Sequence, residues 1–294
     1  MPIKHANGNL HLTYLTATPL SGPLGAAITD INLAQCLTAD TVAELRSAFN
    51  HYGLLWFPGQ SLAPEQQADF AERFGELEDY PFITPLAEHS KVIPIIKEPD
   101  TRMNFGGGWH TDTSYLPKPP SITMLQAIEV PKHGGDTLFA DMALAFESLS
   151  PGMRTLLDGL RGVYTADLVH GKSGMYSKQA GADHPMDYGD SDNVAPREVE
   201  HPIIRTHPET GRKSIYAGLA HCARIRGMTT EESKVLLEFI NQFATRAEFV
   251  TRLQWQPDSL AMWDNRRLFH YALNDYPGQR RHMHRVTIQG DAPF

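Results

Sequence analysis

A histidine and an aspartate stand two positions apart at His110 and Asp112. If this segment is a strand, residues two apart point to the same side, so an imidazole and a carboxylate can face one ion. His270, which follows a predicted strand and turn, is a candidate for a third ligand. Two histidines and one carboxylate leave three coordination positions open, which suits Fe(II) when it must bind a cosubstrate and O₂. The same three residues holding zinc would instead favour hydrolysis.

Two arginines carry the second chemical signal. Arg281 and Arg285 are four positions apart in a predicted strand, so they share one face, whereas Arg280, His282 and His284 point to the other. A guanidinium buried near a metal without a partner would be costly. Arginine pairs with carboxylates through two parallel hydrogen bonds, so the shared face predicts a binding site for carboxylates or another anion.

The elements that position these residues follow from periodicity and from capping residues. Alternating apolar residues at 122–130 predict a strand that ends at Pro131. Thr229 and Glu232 form a capping-box signature before a helical apolar pattern. Other helices are predicted at 40–52, at 64–75 and from residue 150, and other strands at 54–57, 137–140, 249–255, 259–264 and 284–289. Strands at both ends of the chain, with helices between them, predict a single domain over residues 1–294.

Residues 171–200 differ from the rest of the chain. They are rich in Gly, Asp, Ser and Pro and show no clear period. This composition predicts a long surface loop, which is either a lid that orders when a ligand binds or a plain mobile insertion.

The composition narrows the classes of function. Among 294 residues there are 26 Lys plus Arg and 34 Asp plus Glu, so the net charge is 26 − 34 = −8. This balance offers no basic excess for nucleic acid, and no apolar run reaches the roughly 18 residues of a membrane span. The two cysteines, Cys36 and Cys222, form no Cys-x-x-Cys pattern, which argues against a disulfide framework or an iron–sulfur cluster. With no signal-peptide pattern in the first residues, we expect a cytoplasmic protein.

Several motifs occur in the order and at the intervals of a known family. They are Phe57-Pro58-Gly59-Gln60, Phe74-Gly75-Glu76-Leu77, Trp109-His110-Thr111-Asp112, His133-Gly134-Gly135-Asp136-Thr137, Trp263-Asp264-Asn265, His270 and Gln279-Arg280-Arg281-His282-Met283-His284-Arg285. His110 precedes Thr137 by 27 residues, and His270 precedes Arg281 by 11. Over nearly its whole length the chain resembles the iron(II)/2-oxoglutarate-dependent dioxygenases of the taurine dioxygenase and aryloxyalkanoate dioxygenase type.

The resemblance implies a mainly β fold with flanking helices around a double-stranded β-helix, or jelly-roll, core. It also implies that His110, Asp112 and His270 bind Fe(II) and that Arg281 and Thr137 bind 2-oxoglutarate, with O₂ as the other cosubstrate. The expected reaction hydroxylates a small organic anion while 2-oxoglutarate is converted to succinate and CO₂.

The identity of the primary substrate is less constrained. Arg285 matches the family arginine that holds the anionic group of the substrate, although it could instead help to hold 2-oxoglutarate. Tyr80 and Gly106 stand where family members that use taurine carry a histidine and an asparagine. Together with Phe105 they indicate a larger or more apolar anion, such as a sulfonate other than taurine, an aryloxyalkanoate or an alkyl sulfate. Alternatively, Tyr80 packs in the core and Gly106 belongs to a flexible loop beside the site.

Two other functions fit parts of the pattern. One is a metal-dependent hydrolase on the same triad, but Thr137 and Arg281 argue against it because hydrolysis needs no keto-acid site. The other is a non-catalytic jelly-roll protein that binds 2-oxoglutarate, which the presence of all three metal ligands disfavours. The resemblance also leads us to expect a homo-oligomer, either a dimer or a tetramer.

Overall fold

The computed structural model describes residues 10–22, 24–80, 82–171, 174–176 and 197–294. Within these residues the chain is mainly β, with six α-helices. The strands are β1 (Thr16–Pro19), β2 (Ala26–Thr29), β3 (Leu54–Phe57), β4 (Ile93–Lys97), β5 (Ile122–Glu129), β6 (Thr137–Asp141), β7 (Arg161–Tyr164), β8 (Val199–Pro202), β9 (Ile204–Thr206), β10 (Lys213–Ile215), β11 (Cys222–Ile225), β12 (Val250–Leu253), β13 (Leu260–Asp264), β14 (Leu268–Ala272) and β15 (Arg281–Ile288). The helices are α1 (Ala39–Tyr52), α2 (Pro64–Glu72), α3 (Met142–Ser148), α4 (Pro151–Leu157), α5 (Asp167–His170) and α6 (Thr230–Ala244).

Two sheets form the central part of the fold. The larger has the strand order β1-β2-β3-β13-β5-β15-β4, and the smaller has the order β12-β6-β14. Their facing sides share one apolar core, to which the larger sheet contributes Leu125 and Trp263 and the smaller sheet contributes Phe139 and Leu268. Two mainly antiparallel sheets that face each other around such a core make the predicted jelly-roll arrangement.

The central strand β5 is buried on both faces. Its first six residues are all buried, whereas the alternation in the sequence indicated one exposed face. Met124 packs into an apolar core that also contains Phe49 of α1 and Phe70 of α2. Its neighbour Leu125 packs into the core between the sheets. The larger sheet is therefore covered by helices on one side and by the smaller sheet on the other.

Both long helices, α1 and α6, begin after a threonine that caps the first turn. Thr38 caps α1 by accepting a hydrogen bond from the N–H of Thr41. The helix ends at Gly53, whose φ of 73° lies in the left-handed region that glycine adopts easily. At the start of α6, Thr229 and Glu232 form the predicted capping box. These contacts are local, so sequence alone could predict both helices.

The predicted loop at 171–200 lies mostly outside the described residues, which omit 172–173 and 177–196. Its role as a lid or as an insertion therefore stays a prediction. In the described part of the chain, no helix combines the length and apolar character needed to cross a membrane. Both cysteines are free thiols, Cys36 exposed and Cys222 buried.

A buried ion pair joins the smaller sheet to two helices. Asp141 ends β6, caps α3 by accepting the N–H groups of Ala143 and Leu144, and also accepts hydrogen bonds from Arg267. Arg267 donates in addition to the backbone oxygen of His51 in α1. The two charged side chains are only 1% and 5% exposed. Removing either one would therefore leave the other charge buried without a partner.

Asp141→Ala is expected to lower the free energy of unfolding by about 3–5 kcal/mol, because the Arg267 charge stays buried and α3 loses its cap. Urea-induced unfolding followed by circular dichroism measures this loss. The control is Asp158→Ala, which removes an exposed ion pair with Lys213 and should cost less than about 1 kcal/mol. Equal losses in the two variants would contradict the structural role of the buried pair.

Candidate active site

His110 contacts strand β14 at a single bridge. Its N–H donates to the backbone oxygen of His270 at 3.1 Å, and the N–H of His270 donates back at 2.8 Å. The chain then turns over residues 112–115. The prediction of a strand through His110 and Asp112 is therefore wrong. The pairing does not continue to Asp112, because the turn begins there, and Thr113 within this turn adopts a φ of 39°, outside the range of extended strands.

The three predicted metal ligands nevertheless converge. Nε2 of His110 lies 3.8 Å, and Nε2 of His270 lies 3.7 Å, from Oδ1 of Asp112. One ligand atom from each residue lies within 4.8 Å of the other two, and among the described residues no other group of His, Cys, Asp and Glu meets this criterion. The three side chains therefore fit one metal ion of the type that two histidines and one carboxylate bind.

The protonation states of the triad suit metal binding. Nδ1 of His110 lies 2.8 Å from the carbonyl oxygen of Gly108, which accepts the Nδ1 proton and leaves Nε2 as the ligand atom. Burial lowers the pKa of both His110 and His270, so both rings are neutral. Burial alone would raise the pKa of Asp112, but the Arg285 guanidinium, acting together with the two imidazoles and the Thr123 hydrogen bond, holds that pKa well below its usual range. A neutral imidazole and an ionised carboxylate are the forms that bind a cation.

A chain of hydrogen bonds orients the Asp112 carboxylate. Thr123 Oγ1 donates to Asp112 Oδ2 at 2.5 Å, and Asn265 Nδ2 donates to Thr123 Oγ1 at 2.8 Å. Nε1 of Trp263 donates to Oδ1 of Asn265 at 3.0 Å. Because Oδ2 is engaged in this way, Oδ1 is the oxygen that faces the two imidazoles. Sequence reasoning missed the roles of Thr123 and Asn265.

Thr123→Val keeps the shape of the side chain and removes the donor to Asp112. We expect the affinity for a divalent metal to fall about 10–100-fold, since hydrogen bonds to a ligand fix its orientation. Calorimetric titration with Mn(II) measures the change. Thr251→Val is the matched control, because Thr251 is also buried and donates to the backbone oxygen of Leu24, far along the chain from the ligands. Equal losses of affinity in both variants would contradict the orienting role.

A cavity opens beside the triad and contains the two predicted arginines. It is termed the anion cavity, and its lining includes Phe105, Thr137, Trp263, His270, Arg281 and Arg285. Nε and Nη2 of Arg281 are buried and make no hydrogen bond within the described part of the chain. Burial lowers the pKa of Arg281, because no close carboxylate offsets the desolvation of its charge. A guanidinium in this position favours an anionic ligand.

Thr137 is prepared to donate a hydrogen bond in the same cavity. Nε1 of Trp255 donates to Thr137 Oγ1 at 2.9 Å, so the hydroxyl proton of Thr137 stays available for a ligand. The Arg281 guanidinium carbon also lies 5.8 Å from the centre of a Trp255 ring. Trp255 therefore contacts both residues that sequence analysis assigned to the cosubstrate.

Arg285 lies on the same face of β15 as Arg281, and this prediction is confirmed. Both side chains are buried, while His282 and His284 on the opposite face are partly exposed. Nη2 of Arg285 lies 3.0 Å from Oδ2 of Asp112. Its guanidinium therefore reaches the metal ligands from within the anion cavity.

A second cavity, termed the aromatic cavity, adjoins the first at His110 and Asp112. The rings in its lining belong to Tyr80, Phe105, Tyr115, His170, Tyr176 and His221. Phe105 stacks on Tyr176 at 5.7 Å between ring centres, and Tyr80 meets Phe105 edge-on at 6.4 Å. Among the described residues that line this cavity there is no arginine or lysine.

The predicted substrate residues lie around both cavities. Tyr80 lines the aromatic cavity and Arg285 lines the anion cavity, whereas Phe105 and Gly106 line both. The Arg285 guanidinium carbon lies 4.8 Å from the centre of the Tyr80 ring, so it reaches the boundary between them. Gly106 has a φ of 78°, and a Cβ there would lie only 3.3 Å from Cε1 of His110. Close approach to a metal ligand therefore requires glycine at this position.

Five further residues with polar or aromatic side chains line the aromatic cavity and were not predicted, and they come from turns, from α5 and from the segment after it. These residues are Thr113, Tyr115, His170, Tyr176 and His221. Their positions follow neither a strand nor a helix period. The proximity of Thr113 and Tyr115 to Asp112 along the chain is the one sequence signal that could have indicated two of them.

The jelly-roll core, the metal triad and the buried arginine beside it define a non-haem dioxygenase that depends on Fe(II) and 2-oxoglutarate. The model of the family described as "Taurine catabolism dioxygenase TauD, TfdA family" matches residues 16–287. The chain belongs to this family.

Known relatives resemble the chain over most of its length. It is 31% identical to an alkylsulfatase of Acinetobacter baylyi, over 92% of this chain and 84% of that protein. It is 34% identical to a (S)-phenoxypropionate/alpha-ketoglutarate-dioxygenase of Sphingobium herbicidovorans, over 93% and 94%. A solved taurine dioxygenase from Burkholderia xenovorans superposes with a TM-score of 0.78 at 32% identity, covering 96% of this chain and 91% of that one. The structure of AAD-2 in complex with Mn(II) and N-oxalylglycine gives 0.77 at 28% identity, covering 96% and 99%.

The protein is therefore an oxidoreductase that uses Fe(II), 2-oxoglutarate and O₂. The same relatives confirm the jelly-roll fold. They also decide between the functions that the sequence left open, in favour of a dioxygenase over a hydrolase or a non-catalytic protein.

Proposed function

We propose that this dioxygenase hydroxylates a sulfonate, an aryloxyalkanoate or an alkyl sulfate, on a carbon that carries the sulfonate, the ether oxygen or the sulfate oxygen. Hydroxylation at such a carbon gives a product that breaks down and releases that group. The observation that carries the proposal is the buried Arg281 guanidinium, which has no carboxylate partner among the described residues and lies in a cavity that adjoins the triad. Relatives that act on a sulfate ester and on a phenoxypropionate support the substrate classes.

We assign the iron to His110, Asp112 and His270, whose ligand atoms face one another in the forms that bind a cation. The bound metal supplies the activation of O₂ for attack on a C–H bond. The chain contributes an ionised Asp112, two neutral rings and the Thr123 hydroxyl that orients the carboxylate.

Arg281 and Thr137 hold 2-oxoglutarate. Arg281 pairs with the carboxylate of the cosubstrate that lies away from the metal, through the two nitrogens that make no hydrogen bond within the described chain. Thr137 donates its hydroxyl proton to the same carboxylate, since its oxygen already accepts from Trp255. Trp255 acts as a positioning residue for both.

Arg285 holds the anionic group of the primary substrate. It reaches the boundary of the two cavities, where it contacts Tyr80 and Asp112. The organic part of the substrate then occupies the aromatic cavity, against Tyr80, Phe105 and the backbone of Gly106. These rings exclude water from the reacting carbon and offer apolar contact to an aryl or alkyl group.

The experiment that tests this function is anaerobic. Fe(II) and 2-oxoglutarate are added to the purified protein, and the visible spectrum is recorded. A weak charge-transfer band that requires both additions is the expected result, because the chelated keto acid produces it. An oxygen-uptake screen of sulfonates, aryloxyalkanoates and alkyl sulfates follows. The absence of the band would contradict the assigned iron and cosubstrate sites.

We further propose that residues 1–294 form one catalytic domain, that the segment 171–200 covers the aromatic cavity, and that the protein is a cytoplasmic dimer or tetramer. Support for the covering segment comes from its described part, where the Tyr176 hydroxyl accepts a hydrogen bond from the N–H of Gly106 at 2.7 Å. Light scattering of the purified protein tests the oligomer, and a monomer would contradict it.

A further inference from the structure

Three polar side chains in the wall of the aromatic cavity have no role in binding the iron or the cosubstrate. They belong to Thr113, Tyr115 and His221. Thr113 and Tyr115 lie in the turn that follows the metal ligand Asp112, and His221 immediately precedes β11. All three are at least nine-tenths buried.

Thr113 is held in a strained backbone conformation. Its φ of 39° lies in the left-handed region, which a β-branched residue rarely adopts and which costs on the order of 1–3 kcal/mol. Its Oγ1 is buried and makes no hydrogen bond within the described chain. A strained residue of the cavity wall thus carries a buried hydroxyl that has no partner among the described residues.

Tyr115 presents a second unpartnered hydroxyl. The residue is 1% exposed, and its Oη makes no hydrogen bond within the described residues. Edge-on contacts fix the ring, at 6.1 Å from Phe82 and at 4.9 Å from His221 between ring centres. Burial raises the pKa of Tyr115 well above 10, so the hydroxyl keeps its proton and can donate it. An unmade hydrogen bond at such a buried group costs about 1–3 kcal/mol.

His221 adds a neutral ring nitrogen. Burial lowers its pKa to about 3, so the ring is uncharged at neutral pH. Nδ1 of His221 lies 2.9 Å from Oγ of the buried Ser114. When the Ser114 hydroxyl donates to Nδ1, the ring proton resides on Nε2, which is the nitrogen left for a ligand.

The positively charged side chains are unevenly distributed between the two cavities. Arg281 and Arg285 line the anion cavity, and no arginine or lysine occurs among the described residues that line the aromatic cavity. Apart from Asp112, the polar groups that the described residues contribute to the aromatic cavity are therefore neutral. Two of them, the hydroxyls of Thr113 and Tyr115, have no hydrogen-bond partner among the described residues, and such donors match an oxygen atom of a ligand.

We propose that Thr113, Tyr115 and His221 form a hydrogen-bonding subsite for an acceptor oxygen in the organic part of the primary substrate, such as an ether or sulfate-ester oxygen. This inference rests on the proposed function and adds to it the residues that determine specificity. A substrate with the oxygen satisfies buried donors, whereas an analogue with a methylene group in its place leaves them unpaired. Sites of this kind reject the analogue that lacks the oxygen.

Two matched pairs of probes test the subsite. Phenoxyacetate and 3-phenylpropanoate differ by one oxygen in place of a methylene group, as do hexyl sulfate and heptane-1-sulfonate. Calorimetry measures their dissociation constants on protein loaded with Mn(II) and N-oxalylglycine, which prevents turnover. In the wild type, the oxygen-containing member of at least one pair should bind on the order of tenfold more tightly.

Tyr115→Phe and Thr113→Val should reduce this preference to about twofold or less while the affinity for N-oxalylglycine is unchanged. Thr113→Ser, which restores a hydroxyl, should restore the preference. The matched control is Tyr164→Phe, because Tyr164 also has a buried Oη without a hydrogen bond but does not line either cavity. Thermal unfolding verifies that each variant is folded.

The possible outcomes separate the subsite from the proposed function. An unchanged preference in both Tyr115→Phe and Thr113→Val would overturn the subsite and leave the function intact. Failure of all four probes to bind to the loaded protein would also overturn it. Failure of N-oxalylglycine itself to bind would contradict the cosubstrate site, and with it both proposals.

Discussion

Asp112→Ala should abolish stoichiometric binding of Fe(II) and reduce turnover by on the order of 10³-fold or more. The carboxylate is the one negatively charged ligand of the triad, and both imidazoles lie within 3.8 Å of its Oδ1. Without it, two neutral rings and the nearby Arg285 cation remain, and together they disfavour a divalent ion. Anaerobic titration with Co(II) followed by absorption spectroscopy measures the loss, and succinate formation measures turnover.

The control for this experiment is His284→Ala. His284 lies on the opposite face of β15 from the two arginines, so its removal should leave one metal bound per chain. Retention of a stoichiometric metal in Asp112→Ala, with loss in His284→Ala, would show that the histidine-rich outer face of β15 binds the metal instead.

Arg281→Ala should weaken the binding of 2-oxoglutarate on the order of 10²–10³-fold, since truncating one partner of a buried charged pair costs 2–5 kcal/mol or more. The guanidinium is buried, and no carboxylate of the described chain lies within ion-pair distance, so the cosubstrate carboxylate would be its main counterion. Anaerobic titration of the Fe(II)-loaded protein with 2-oxoglutarate, followed by the charge-transfer band, measures the affinity. Metal binding should be unaffected.

Two further variants define the division of roles between the arginines. Arg281→Lys keeps the charge but not the bidentate geometry, so it should recover only part of the affinity. Arg285→Ala should chiefly raise the KM of the primary substrate. If Arg281→Ala changed only the affinity for the primary substrate, the two arginines would have exchanged roles.

Sequence patterns predicted four of the six described helices, α1, α2, α4 and α6, and most long strands, because the determining contacts are local. The short helices α3 and α5 were not predicted. The Thr38 cap of α1 and the Thr229–Glu232 box of α6 each form within three residues. The pattern of β5 predicted a strand but not its burial on both faces, which depends on packing between distant elements. The strand considered through His110 and Asp112 is absent, because the chain turns at residues 112–115, where Thr113 has a left-handed φ.

The residues of the candidate site also fall into two groups, those predicted from local spacing and those missed because contacts between distant segments place them. Arg281 and Arg285 were predicted because four-residue spacing within one strand puts them on one face. Asn265 and Thr123 were missed, since their hydrogen bond joins residues 142 positions apart in sequence. No sequence pattern indicates such a contact without knowledge of which strands are neighbours. The spacing of the triad and of Thr137 supported a family resemblance, although the structure has a turn at Asp112 and not the strand that the sequence analysis considered there.

The reciprocal backbone hydrogen bonds between His110 and His270 have a consequence for metal selection. Peptide groups set the separation of the two imidazoles, so the receptor for the ion is preorganised by the fold. Binding then requires little rearrangement, and a chelator should remove the metal without unfolding the protein. A receptor with this fixed geometry and nitrogen and oxygen donors accepts several divalent ions of similar size. Which ion occupies it in the cell is then determined by metal supply and by the order of intrinsic affinities among these ions.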